Sequence, residues 1–408
     1  METETNPYPV AAALLQRENG TSVLAPRTVR VRKVCFLVDS LRVGGTEVQA
    51  VELARRLDPT RYRVTLACLR ARGPLLEKLR DSAISVSEFY PQGGVDSPRG
   101  IYQLVRFARF LRRERFDIFH SHDLWSNLMG IPAAWLARVP VIISSRRDLA
   151  PFDWYQTRRR PWLRRIQSLS TTVVVNAAAI RDQLIEEEDW PAQKVRVIHN
   201  GIEVGQFANA PHDRERLFPG TAGNKLIVMV GNMHSDVKGH AYLIAAAPSV
   251  LREFSRTRFV LVGDGEKRIQ FQRQVAERGL ESSFIFFGSR RDVPEILASC
   301  DIGVLPSIAE GLSNALLEYL AAGLPVVASR VGGNREIVDH EQTGLLVPAQ
   351  APESLAAAIL QLLRDPEKAR ALARRGQDYV RRNFSFEHLL SDVDALYVEL
   401  LTQRKGSA

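Results

Sequence analysis

Short apolar runs bounded by Gly, Pro, Asn and Asp alternate along this chain with longer stretches whose apolar residues recur at helical spacing. Parallel strands are buried on both faces and need helical crossovers, so this alternation predicts parallel sheets with covering helices. Two series can be traced. The first has strands at 31–38, 62–69, 84–89, 116–119, 139–143, 172–175 and 195–198, and the turn His199-Asn200-Gly201-Ile202-Glu203 ends it. The second has strands at 226–230, 259–262, 284–287, 302–305, 326–328 and 345–347, followed by three helical stretches, the last at 387–401. The expected organisation is a mobile tail at 1–28, a doubly wound α/β domain at 29–203, a second at 204–384, and a closing helix within 385–408.

The most informative segment lies between the run 302–305 and the helix that follows it. It reads Pro306-Ser307-Ile308-Ala309-Glu310-Gly311-Leu312-Ser313-Asn314-Ala315-Leu316-Leu317-Glu318. Ser313 or Asn314 can cap the helix, so Glu310 falls on the loop at the strand's carboxyl end and Glu318 about one turn inside the helix. Ligands bind at that edge of an open α/β sheet, and a helix N-terminus there suits a diphosphate. A carboxylate beside a phosphate is repelled by it and is better matched to sugar or ribose hydroxyls. A solvated loop Glu and a helix-surface Glu would show the same spacing.

Glu310 and Glu318, followed by Ala321-Ala322-Gly323-Leu324-Pro325-Val326-Val327-Ala328-Ser329, resemble the Glu-x7-Glu motif of the group 1 (GT4) glycosyltransferases. These are retaining enzymes of the GT-B fold, two Rossmann-like doubly wound domains with an interdomain cleft and a C-terminal crossover helix. Gly332-Gly333-Asn334-Arg335-Glu336-Ile337-Val338 and Thr343-Gly344-Leu345-Leu346-Val347-Pro348 are similar to the same family, and the likeness runs in order from about Val31 to Phe384. The resemblance implies that Glu310 touches the donor sugar and Glu318 the ribose, with Gly311, Leu312, Ser313 and Asn314 beside the donor. It also implies that the closing helix returns to the first domain.

Further candidates sit at other strand ends. Gly44 and Gly45 precede a helix and let backbone approach a phosphate, yet form neither a dinucleotide fingerprint nor a P-loop. In the family such a loop faces the donor. His120 and His122 share one side of the strand ending Asp117-Ile118-Phe119-His120-Ser121-His122-Asp123, and no third ligand at motif spacing makes them a zinc site. His122 matches the family's catalytic His better than His120, and Asp123 would orient it or bind acceptor. In Gly231-Asn232-Met233-His234-Ser235-Asp236-Val237-Lys238-Gly239 the family's Lys-Gly is present, but Asn232 stands where an Arg is usual. A neutral amide cannot neutralise a departing diphosphate, so Arg290 or Arg330 would have to serve. Gly263-Asp264-Gly265 resembles a turn beside the nucleotide, and Arg290 a contact near the base. Arg146 and Arg147, after the strand at 139–143, fall on the acceptor side.

Composition narrows the remaining choices. With 45% hydrophobic and 25% charged residues, this is ordinary globular usage. Cys35, Cys68 and Cys300 lie in apolar runs and are expected to be reduced core residues, which suits a cytoplasmic setting. No apolar stretch reaches the roughly 18 residues of a spanning helix. An Asp-x-Asp metal motif is met only formally, at Asp392-Val393-Asp394 on the closing helix, so no metal or other cofactor is expected. Lys and Arg total 55 against 46 Asp and Glu, concentrated at 101–115 and 146–165, where aromatics are interleaved. An anionic membrane surface fits that pattern, and no nucleic-acid module is visible. The expectation is a glycosyltransferase using a nucleotide-sugar donor and a saccharide or lipid-linked acceptor, cytoplasmic or peripheral on the inner face of the membrane, in cell-envelope synthesis. A sugar-nucleotide epimerase and a nucleotide-sugar-binding scaffold are the other readings.

Overall fold

The computed structural model describes residues 30–80, 82–149 and 160–406. The expected tail and, from the basic stretch, Phe152, Trp154, Tyr155, Arg158 and Arg159 lie outside the described residues. The first sheet comprises β1 (Arg32–Ser40), β2 (Tyr62–Arg70), β3 (Ser85–Glu88), β4 (Ile118–Ser121), β5 (Val141–Arg146), β6 (Thr172–Val175) and β7 (Val195–Val197). The second comprises β8 (Lys225–Val230), β9 (Thr257–Val262), β10 (Phe284–Gly288), β11 (Ile302–Leu305), β12 (Val326–Ser329) and β13 (Leu345–Val347). Strand order is β3-β2-β1-β4-β5-β6-β7 in one and β10-β9-β8-β11-β12-β13 in the other. All pairings within them are parallel.

Both sheets reverse direction next to their first strand, between β1 and β4 and between β8 and β11. Crossovers leave on opposite faces there, opening a crevice at the carboxyl ends. The polar motifs follow those ends: Asp39 on β1, His122 and Asp123 after β4, Lys238 after β8, and Glu310 after β11.

The helix Phe386–Gly406 crosses back to the first domain. It buries Phe386, Leu389, Val393, Leu396, Tyr397 and Leu400 in a core with Val34, Phe36 and Val51. Asp394, from the formal Asp-x-Asp, accepts from the Tyr62 hydroxyl at 2.8 Å and pairs with Arg61. Cys35 and Cys68 are buried free thiols, and Cys300 is a partly buried one.

One expectation changes. β5 continues beyond Ile143 through Ser144, Ser145 and Arg146, all buried, because hydrogen bonds satisfy its polar end. Ser145 Oγ lies 2.9 Å from His120 Nε2, and Ser144 Oγ donates to Ser170 Oγ at 3.3 Å. The helix Pro98–Glu114 buries Phe107 and Leu111 and leaves Ile101 and Val105 exposed. An aromatic cluster sets that rotation, with Phe89 and Phe107 ring centroids 4.6 Å apart and Phe107 edge-on to Phe119.

Candidate active site

Glu310 is held from three sides. Its carboxylate, 8% exposed, receives the Lys238 ammonium at 2.8 and 3.0 Å and the Ser307 hydroxyl at 2.6 Å. Its backbone rests on the Gly332-Gly333 turn: Gly333 N donates to the Gly311 carbonyl at 2.8 Å, and a Cβ on Gly332 would stand 1.8 Å from the Glu310 carbonyl. Gly332 adopts φ +44, so the turn needs glycine for conformation as well as space. Gly239, at φ +80, packs likewise on the Pro306 carbonyl and fixes where Lys238 leaves its loop.

Ser313 caps the helix Asn314–Ala321 and accepts from Leu316 N at 3.4 Å. Asn314, freed from capping, accepts from Asn200 Nδ2 at 2.8 Å, and Asn200 accepts from Arg147 at 2.7 Å. This relay crosses between the domains. Gly45 faces Asn314 Nδ2, Gly44 leaves room for the folded-back Glu47 carboxylate, and the Gly311 Cα side faces the Arg147 carbonyl. Glu318 is partly buried, and desolvation pushes its carboxyl up to about 7 against the pull of Lys238. Leu312 is buried in the core next to Leu316.

Across the crevice, the two histidines have different roles. His120 Nδ1 meets the Tyr397 hydroxyl and its Nε2 meets Ser145 Oγ, both at 2.9 Å, so its ring is fully engaged in packing. His122 stacks on it at 4.2 Å, is fully buried, and has no hydrogen bond on either ring nitrogen among the described residues. Burial, then the charges of His120 and Arg147, hold His122 well below the usual histidine range and keep it neutral. Asp123 caps the helix Leu124–Leu136, and Asp39 accepts from Ser126 N at 2.7 Å in the same turn. Desolvation first, and then the charge of Glu47 at Asp39 and of Asp39 at Asp123, raise Asp39 to about 6 and Asp123 to about 8. Two carboxylates sharing one helix end therefore carry a proton between them near neutrality.

Some candidates are placed elsewhere. Arg146 is buried in β5 with its guanidinium 2.6 Å from Glu188, so it braces the first domain. Arg290 pairs with Asp292 and stacks over Phe287 at 5.1 Å. Asn232 is exposed on the β8 loop, its Oδ1 accepting from His234 N at 3.4 Å. Ser307, Asn200, Asp39 and Glu47 were missed as site residues. All four stand within two residues of a strand end or glycine turn, the one signal that marks them.

Comparison with known proteins agrees with this geometry. Residues 43–206 match the family described as Glycosyltransferase Family 4, and residues 224–365 match Glycosyl transferases group 1. The UDP-Gal:alpha-D-GlcNAc-diphosphoundecaprenol alpha-1,3-galactosyltransferase of Escherichia coli is 24% identical over 378 residues, 89% of this chain and 95% of that protein. The N-acetyl-alpha-D-glucosaminyl L-malate synthase of Bacillus anthracis is 27% identical over 310 residues, 74% of this chain and 79% of that one. The structure of Anabaena Alr3699/HepE in complex with UDP superposes with TM-score 0.79 at 22% identity, over 90% of this chain and all of that one. WaaG, a glycosyltransferase involved in lipopolysaccharide biosynthesis, gives 0.71 at 16% identity, over 89% of this chain and 99% of that one. Two linked family matches, relatives along most of the length and the two-sheet architecture converge: the chain belongs to the group 1, family 4 glycosyltransferases and has their GT-B fold.

Proposed function

We propose that the protein transfers a hexosyl unit, with retention, from a nucleotide-sugar to a lipid-linked or saccharide acceptor. The observation that carries this reading is the Lys238–Glu310–Ser307 cluster beside the capped N-terminus of Asn314–Ala321, joined to the first domain through the Arg147–Asn200–Asn314 relay. Lys238 and the helix N-terminus suit a diphosphate, and Glu310 and Glu318 suit the hydroxyls of sugar and ribose. HepE, whose structures contain UDP and UDP-glucose, and the E. coli diphosphoundecaprenol galactosyltransferase support a uridine donor and a polyprenyl-diphosphate acceptor.

In the proposed step the bond from the anomeric carbon to the diphosphate oxygen breaks. The acceptor oxygen bonds to that carbon on the same face, and its proton passes to the departing diphosphate. The protein contributes placement and charge, with Lys238 against the diphosphate and His122 at the sugar. No metal takes part, so transfer should persist in EDTA; a strict magnesium or manganese requirement would refute that part. Incubation with a panel of nucleotide-hexoses and a polyprenyl-diphosphate sugar, with the new linkage read by NMR, tests the whole. The expected product keeps the donor's anomeric configuration and needs acceptor. Inversion, epimerised donor without acceptor, or binding without turnover would overturn the proposal.

A further inference from the structure

Outside the crevice, the helix Pro98–Glu114 presents a face that the fold leaves uncovered. Phe107 and Leu111 point into the core, so helical rotation turns Ile101, Val105, Arg109 and Arg112 outward, with Tyr102, Arg106 and Arg113 alongside. Ile101 is 56% exposed and Tyr102 63%. Four arginines and three large apolar side chains share this face without an acid. An ordinary solvent-facing helix is polar there.

Between this face and the edge strand β3 lies a groove of about 450 Å³, lined by Ser87, Tyr102, Arg106, Arg109, Phe110 and Arg113. The Arg106 guanidinium sits over the Phe89 ring at 5.1 Å and that of Arg113 by the Phe110 ring at 6.0 Å. Glu88 also lines the groove, but its carboxylate accepts from Ala71 N at 2.8 Å. Arg113, itself exposed, pairs with its partly buried neighbour Glu114, a weak and exchangeable contact. The groove is therefore a cationic pocket with aromatic walls, on the far side of β1 and β2 from β4 in the sheet order.

We propose that this groove and its apolar flank dock the first domain onto an anionic phospholipid bilayer. The guanidinium forks take headgroup phosphates, while Ile101, Tyr102 and Val105 enter the headgroup–acyl boundary. Aliphatic side chains between the arginines favour lipid over a nucleic acid, whose bases would need an aromatic row to stack on. A second element extends the surface: Trp162, 71% exposed, lies on Arg160–Gln167, which packs through Leu124–Leu136 on the same side of the sheet. The helix Pro98–Glu114 leaves the carboxyl end of β3, so Ile101 and Tyr102 lie toward the edge carrying His122 and Asp123. The bilayer would then meet the domain next to its acceptor side. The inference stands apart from the transfer reading, because these residues lie outside the crevice.

The test is flotation of the full chain with vesicles of phosphatidylcholine alone or mixed with phosphatidylglycerol. Binding should need the anionic lipid and weaken as salt shortens the screening distance below about 8 Å. Arg106→Ser, Arg109→Ser and Arg113→Ser together should lower the partition about a hundredfold, at roughly fivefold per cation. Ile101→Ser with Val105→Ser should lower it at high salt, where charge contributes least. All five side chains lie on the open face, and an unchanged melting temperature would verify the fold. Equal binding to neutral vesicles, an unaffected triple variant, or displacement of the protein from vesicles by single-stranded oligonucleotide would overturn the proposal.

Discussion

Removing the Lys238 ammonium should cost stability and turnover together, and the pair geometry sets how much. Two unit charges about 4 Å apart attract by about 4 kcal/mol at an effective dielectric near 20, before desolvation and side-chain ordering are subtracted. Glu310 is nearly buried and the Lys238 side chain is 24% exposed, so the pair lies between a surface contact and a fully buried one. A coupling of about 1–3 kcal/mol follows. Lys238→Met leaves Glu310 with Ser307 as its remaining side-chain hydrogen-bond partner among the described residues and should cost about 2–4 kcal/mol in urea unfolding. Glu310→Gln should cost less, and the double variant should be no worse than Lys238→Met, because a neutral Gln beside Met leaves no buried charge. Turnover should fall about 10²- to 10³-fold in either single variant and little further in the double. A double variant whose losses equal the sum of the singles, in stability and in turnover, would refute the reasoning.

Further outcomes are expected elsewhere. Asp123, raised to about 8 from an unfolded value near 3.9, holds more proton in the folded chain. Stability it confers below about 4 is therefore lost as pH rises towards 8. In Asp123→Asn the melting temperature measured across that window should fall less steeply than in the wild type. Gly333→Ala would set a Cβ 2.1 Å from the Gly311 carbonyl, and the displaced Glu310 loop should lower kcat at least tenfold while the melting temperature changes by a few degrees. Tyr397→Phe leaves the buried His120 Nδ1 without its partner and should destabilise by about 1–3 kcal/mol with KM for the donor unchanged.

Strands whose burial is purely apolar were legible from pattern alone. Ile302–Leu305 and Val326–Ser329 are short, fully buried runs of mainly aliphatic residues punctuated by Pro306 and Pro325. β5 was read short because Ser144, Ser145 and Arg146 look like a loop until their partners from distant segments, His120, Ser170 and Glu188, are in place. The outward turn of Ile101 and Val105 is likewise a tertiary fact, since the rotation of a helix with apolar residues on several sides depends on Phe89 and Phe119. Motif spacing located Glu310 and Lys238, 72 positions apart, although their pairing is a tertiary fact. The Arg147–Asn200–Asn314 relay escaped notice because a lone Asn in a turn has many ordinary uses.

The returning helix has a consequence for how the chain is made. Phe386, Val393 and Tyr397 complete the core of the first domain, yet they are synthesised after all of the second. At roughly 5–20 residues per second, the roughly 190 residues after β7 keep that core open for on the order of tens of seconds. The second sheet, whose strands and covering helices are nearly contiguous, can close during that interval. Vectorial synthesis thus inverts the usual order: the half made first matures last, and a ribosome stalled before Phe386 would hold a finished second domain tethered to a first domain with an exposed hydrophobic face.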